Sequence, residues 1–141
     1  MCFYRNEEWK QVEGYYFLSN YGRWFNLKRQ QFIKQQPNNN GYMRINVGGH
    51  GSKRIIFFTH IKVIELFGDC FGNKLPGGAN SLRNLGLSID HRDRNKNNNM
   101  QSNLELVTHK ENCKRIYNQP IIDKKVARRT REVLKTFEEC F

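Results

Sequence analysis

Twelve consecutive residues, RDRNKNNNMQSN, separate two short runs that each read as a β-strand, Leu87–His91 and Leu104–Thr108. Hairpin loops are commonly about two to five residues, so a polar loop of this length is either disordered or built for a purpose. Immediately after the second run, Thr108 to Glu111 spells T-x-x-E, a capping box in which the threonine hydroxyl satisfies a free amide of a new helical turn. A helix is therefore expected from here to about Asn118. Strand, long loop, strand and helix follow in order, and few small architectures accept that order.

The segment upstream has a different texture. Between Glu8 and Lys28 it is rich in aromatics: Trp9, Tyr15, Tyr16 and Phe17 precede the turn Ser19-Asn20-Tyr21-Gly22, and Trp24 and Phe25 follow it. Two short strands joined by that turn are expected, with Gly22 free to adopt a positive φ. Most of Tyr15, Phe17, Trp24 and Phe25 should be core. A second hairpin is expected from residues 41–47 and 53–58, after a loop marked by Pro37 and Asn38 to Asn40; His50, among glycines, reads as a turn. Thr59 then caps an expected helix to Phe67, with Ile61, Val63, Ile64 and Phe67 at near-helical spacing. The glycine-rich stretch 68–86 reads as a loop with a short helical turn near Ser81 to Leu85. The C-terminal segment interleaves Lys124, Lys125, Arg128, Arg129, Arg131 and Lys135 with Val126, Val133, Leu134 and Phe137, the pattern of a basic amphipathic helix. The expected organisation is a β-rich region over 1–58, the strand–loop–strand–helix module with its preceding helix over 59–118, and a basic helical tail over 119–141.

Charge names the class of partner. Lys and Arg number 24 against 13 Asp and Glu, a formal net charge of +11 over 141 residues. Such an excess favours a polyanion, because each neutralised phosphate releases condensed counterions. No apolar run approaches the roughly 18 residues of a membrane span, and acids stand where a signal peptide would carry its apolar core. An intracellular protein is expected, in the cytoplasm or nucleoid of a bacterial or phage host or in an organelle. The four cysteines, Cys2, Cys70, Cys113 and Cys140, are scattered without a C-x-x-C pair and read as free thiols.

Hydrolysis of a phosphodiester needs a base for water and a cation at the scissile phosphate. Asp90 offers a hard oxygen ligand suited to Mg²⁺ or Mn²⁺, and Asn112, in the first turn of the capped helix, offers a second. Two protein ligands leave positions open for water and phosphate. The adjacent His91 is the candidate base, sharing the site with Asp90 only where the strand bends or ends. Asn103, at the end of the long loop, is the candidate for orienting it. Alone, an Asp-His dipeptide is more often a surface pair than a site.

Taken together, SIDHRDRNKNNNMQSNLELVTHKEN resembles the HNH motif of phage and intron-encoded homing endonucleases, in the variant whose third signature position is asparagine. The matching residues are Asp90-His91, the loop Asp93-x-Asn95-Lys96-x-Asn98-Asn99, Asn103-Leu104, Thr108 and Glu111-Asn112. The resemblance implies His91 as general base, Asp90 and Asn112 as ligands of one divalent ion, Asn103 as the residue orienting the base, and a ββα-metal fold. EEWKQVEGYYFLSNYGRWFNL is similar to a DNA-binding motif that often precedes this module, and GYMRINV and THIKVIELF are similar to the family's connecting strand and histidine-bearing helix. His60 in that helix is expected to pack or hydrogen-bond, and His109 to face outward from its capping box. The fold expected is α+β: small antiparallel hairpins and a helix, then a ββα-metal nuclease module.

The function expected is metal-dependent, site-specific cleavage of double-stranded DNA. Arg23, Lys28, Arg29, Arg44, Lys53, Arg54, Lys114 and Arg115 are the expected phosphate contacts. Deletion of residues 1–36 would then weaken site recognition and leave some unspecific cutting. The alternative is a catalytically silent nuclease fold that binds nucleic acid in a ribosomal or architectural role. RNA as a substrate stays open, since phosphates look alike to a backbone-reading protein.

Overall fold

The computed structural model describes residues 4–48, 53–77, 79–117 and 124–139. The fold is α+β. The aromatic-rich segment forms a four-stranded antiparallel meander, β1 (Trp9–Glu13), β2 (Tyr16–Ser19), β3 (Trp24–Asn26) and β4 (Gln31–Phe32), rather than the two strands expected. Gly14, at φ +52, permits the first turn, and the β4 edge pairs only through Phe25↔Phe32 and Asn26↔Gln31. A second sheet follows in the order β5 (Gln36–Pro37), β6 (Met43–Val47), β7 (Ile55–Phe58). Pro37 lies in the edge strand β5 and not in a loop, a position that tolerates the missing amide. The β6–β7 hairpin is as expected; His50 lies outside the described residues.

Helix α1 (Thr59–Phe67) buries Val63, Ile64 and Phe67 against these sheets. Thr59 does not cap it. Its hydroxyl accepts from Trp24 Nε1 at 2.9 Å and donates to Gln35, so the group is spent on joining helix to meander. The stretch after α1 contains a full helix, α2 (Ala79–Leu85), and a fixed loop ahead of it. There Asp69, 1% exposed, accepts from the amides of Phe71 and Asn73 through Oδ1 and from that of Leu106 through Oδ2, each at 2.9 Å.

Strands β8 (Leu87–His91) and β9 (Leu104–Thr108) pair in antiparallel register from Leu87↔Thr108 to His91↔Leu104. Helix α3 (His109–Tyr117) starts as the capping box requires, with the Glu111 amide donating to Thr108 Oγ1 at 3.2 Å. The tail is a helix, α4 (Lys124–Glu139), packed on β9: Leu134 is buried and Thr130 Oγ1 donates to the Leu106 carbonyl at 2.7 Å. One core runs through the molecule, from Leu18 and Trp24 through Ile45 and Ile64 to Leu87, Leu104 and Leu134. The β8–β9 hairpin and the aromatic meander therefore share their apolar contacts. Among the described residues no helix is long and apolar enough to cross a membrane.

Candidate active site

The polar loop between β8 and β9 is built, and Asp93 is its centre. The Asp93 carboxylate accepts from the Asn95 amide at 2.8 Å, from Asn98 Nδ2 at 2.8 Å and from Asn103 Nδ2 at 2.9 Å. Burial would raise its pKa; those hydrogen bonds outweigh it and hold the carboxyl below its ordinary range. Arg94, at φ +61, turns the chain so that its amide reaches the His91 carbonyl at 2.8 Å. The asparagines thus serve as backbone surrogates that satisfy a loop too long for ladder pairing.

The loop returns its chain to His91. This imidazole is 5% exposed, and its Nε2 lies 2.7 Å from Asn99 Oδ1. Asn103 does not touch the ring, contrary to the expectation. Its side chain accepts from the Asp93 amide at 3.1 Å and donates to Asp93 and to the Asn98 carbonyl at 2.8 Å, so it closes the loop and reaches His91 only through the backbone. The expectation missed Asn99 because two loop asparagines of equal chemistry stand eight and twelve residues from the histidine. Only the fold of the loop separates them.

Asp90, His91 and Asn112 line one cleft of about 300 Å³, together with Tyr42, Ile89, Arg94, Lys96 and Arg115. The site therefore draws on the end of β8, the first turn of α3 and the loop before β6. Tyr42 stacks on His60 at 4.8 Å between ring centroids, and the His60 ring lies 5.7 Å from that of His91. Burial, with the charge of His91 added, pushes His60 down to about 3; burial lowers His91 too, against the hydrogen bond its ring donates to Asn99. Both rings are therefore neutral at neutral pH, the form a base must have. His60 packs, as expected; His109 is exposed, with Nδ1 3.2 Å from Ser88 Oγ.

Arg115 overturns its expected role. It is 6% exposed, with Nη1 2.9 Å from Asp90 Oδ2 and 2.5 Å from Glu105 Oε2, and Nε 3.9 Å from Glu111. Burial opposes its charge, and the hydrogen bonds it donates to Glu105 and Asp90 more than offset that. It is an internal counter-ion under the cleft. Arg23 is likewise engaged internally: it pairs with Glu7 at 2.7 Å and lies over the rings of Phe32 and Tyr4 at 4.4 and 4.6 Å. Lys28, Arg29, Lys53, Arg54 and Lys114 are exposed, and Arg44 is half-buried. Lys96 and Arg94, which the expected contacts omitted, stand at the cleft itself. Their place in the loop after Asp90-His91 was the available signal.

Among the described residues no group of three or more His, Cys, Asp or Glu side chains forms a metal cage. The donors that do converge, one carboxylate and one amide carbonyl, fit a hard, largely hydrated divalent ion and not zinc. An antiparallel hairpin crossed by a helix, presenting carboxylate, imidazole and amide to one cleft, is a module of the ββα type. Comparison with known proteins agrees: residues 7–48 match the NUMOD4 motif, and residues 58–114 match the HNH endonuclease family. The chain is 36% identical over 110 residues to DNA endonuclease I-HmuI of Bacillus phage SP01, an alignment spanning 74% of this chain and 55% of that protein. It superposes with a TM-score of 0.58 and 30% identity on a structure describing DNA binding and cleavage by the HNH homing endonuclease I-HmuI, covering 84% of this chain and 63% of that one. Residues 58–114 are thus similar to the HNH endonuclease family, with a match to the NUMOD4 motif ahead of them. That family generally uses a divalent metal. This chain spans little more than half the length of the phage endonuclease it matches.

Proposed function

We propose that the protein is a homing-type, site-specific DNA endonuclease that hydrolyses phosphodiester bonds at the cleft between β8 and α3. The observation that supports this reading best is the convergence there of Asp90, His91 and Asn112, from two elements, under Lys96 and Arg94. Asp90 and Asn112 would hold one Mg²⁺ or Mn²⁺ ion, which when bound supplies positive charge at the scissile phosphate and the leaving oxygen. His91, kept neutral by burial, takes the proton from the attacking water. Asn103 maintains the loop that carries the base, and the two loop cations draw the phosphate in. Lys28, Arg29, Lys53, Arg54 and Lys114, with Arg44, supply sequence-independent backbone contacts, so residues 1–58 and the basic helix after residue 118 position the DNA while residues 59–118 cut it. Such a substrate places the protein in the cytoplasm or nucleoid of a bacterial or phage host, or in an organelle.

The test is incubation with supercoiled plasmid carrying a target site, with Mg²⁺ or with EDTA. The reading predicts nicked or linear DNA broken at a discrete position with Mg²⁺ and none with EDTA. Tight binding with no cleavage under any divalent ion would replace it with the silent-binder reading.

A further inference from the structure

Asn99 is 3% exposed, and its side-chain oxygen is fixed against Nε2 of His91 at 2.7 Å. An amide oxygen only accepts, so with Asn99 in this orientation Nε2 carries the ring proton and the lone pair is left on Nδ1. Among the described residues Nδ1 has no hydrogen-bond partner, and His91 lines the cleft. One contact thus decides which nitrogen can act as a base.

What holds Asn99 comes from the other end of the chain. Ser19 Oγ accepts from the amides of Tyr21 and Arg23 at 3.2 Å, shaping a turn that puts Gly22 at φ +77. Gly22 is pressed onto Asn99: a Cβ added there would lie 2.8 Å from the Asn99 carbonyl oxygen and 2.9 Å from its Cβ. Real side chains do not approach so closely, so glycine is required by space as well as by φ. The adjacent Asn20 carbonyl accepts from the Gln101 amide at 2.8 Å, and the Gly22 carbonyl accepts from Gln35 Nε2 at 2.8 Å. Gln35 in turn holds Thr59, which holds Trp24. The turn of the NUMOD4 motif is therefore clamped between the helix α1 start and the catalytic loop.

We propose that Asn99 is the positioning residue of the general base, holding His91 in its Nε2–H tautomer, and that the Ser19–Arg23 turn is the brace that keeps Asn99 in place. The proposal rests on reading the cleft as a nuclease site. It gives the N-terminal motif a part in catalysis that backbone contacts to DNA would not.

The experiment uses the full chain, ¹⁵N-labelled and metal-free at fixed pH 8, with ring nitrogen shifts assigned by their loss in His91→Ala. Nicking kinetics with Mg²⁺ are measured in parallel. Wild type should show a pyrrole-type Nε2 and a pyridine-type Nδ1. Asn99→Leu, nearly isosteric but without an acceptor, should bring the two shifts together and lower kcat roughly ten- to hundredfold, with KM within about threefold. Asn99→Asp keeps the acceptor and should restore both readouts towards wild type. Gly22→Ala should show mixed tautomers and a smaller kcat loss. A wild-type ring protonated on Nδ1, or folded Asn99→Leu with wild-type shifts and kcat, would overturn the proposal. If Asn99→Leu fails to fold, the wild-type shifts and Gly22→Ala still decide it. If wild type shows the expected shifts and nicks no DNA, the nuclease reading fails while the tautomer assignment stands.

Discussion

Replacing Arg115 by methionine separates a structural cation from a phosphate contact. The guanidinium is 6% exposed and is shared by Glu105, whose side chain is 3% exposed, and Asp90, at 15%. Its removal leaves two carboxylates facing each other in a poorly solvated site with no counter-charge. Breaking a buried pair in this way costs roughly 3 to 5 kcal/mol, and the shared carboxylates put this case at the upper end. At roughly 2 to 4 °C per kcal/mol for a chain of this size, Tm should fall by about 10 °C or more. Urea unfolding in metal-free buffer reads the loss directly. Arg115→Met combined with Glu105→Gln should recover at least about half of it, because the buried charge goes with its partner. If Arg115 instead touched DNA, the single variant would stay within about 1 kcal/mol of wild type and reduce the salt slope of binding by about one. That result would refute the reasoning.

Three further outcomes follow from the packing. Asp69→Ala strands three backbone amides and should cost roughly 3 kcal/mol or more in urea unfolding, against under about 1 kcal/mol if water replaces the carboxylate freely. His60, held down to about 3 against an ordinary 6.5, takes a proton between those values only in the unfolded chain, so stability is lost as pH falls through that window. Wild type should be roughly 3 kcal/mol less stable at pH 4 than at pH 7 on this account, and His60→Phe should lose that part of the slope. Deleting residues 1–36 removes Leu18 and Trp24 from the shared core, so the module should lose its cooperative unfolding; a folded, cutting remnant would contradict this.

Much of the site was legible because its chemistry is local. The alternation of Leu87–His91 and Leu104–Thr108, the length of the loop and the T-x-x-E box each impose a conformation through nearest neighbours, and the strands and capped helix follow them. What was not legible depends on faces and long-range closure. Lys114 and Arg115 read alike as helical surface charges, yet one step around α3 turns the second towards Glu105 in β9. Strands β4 and β5, of two residues each, carry no periodicity to detect. Asp69 sat in a glycine-rich stretch, and its partner Leu106 lies 37 positions away. The brace on Asn99 was hidden in the same manner, since Gly22 reads as a turn glycine until the loop it touches is placed.

The central claim is that His91 is the base of a metal-dependent cleavage, and single-turnover cutting by His91→Ala with Mg²⁺ tests it most directly. Binding to the same DNA is measured alongside. The account predicts a rate lower by about a hundred- to ten-thousandfold, with Kd within about twofold of wild type. Folded His91→Ala that cuts at the wild-type rate would contradict it.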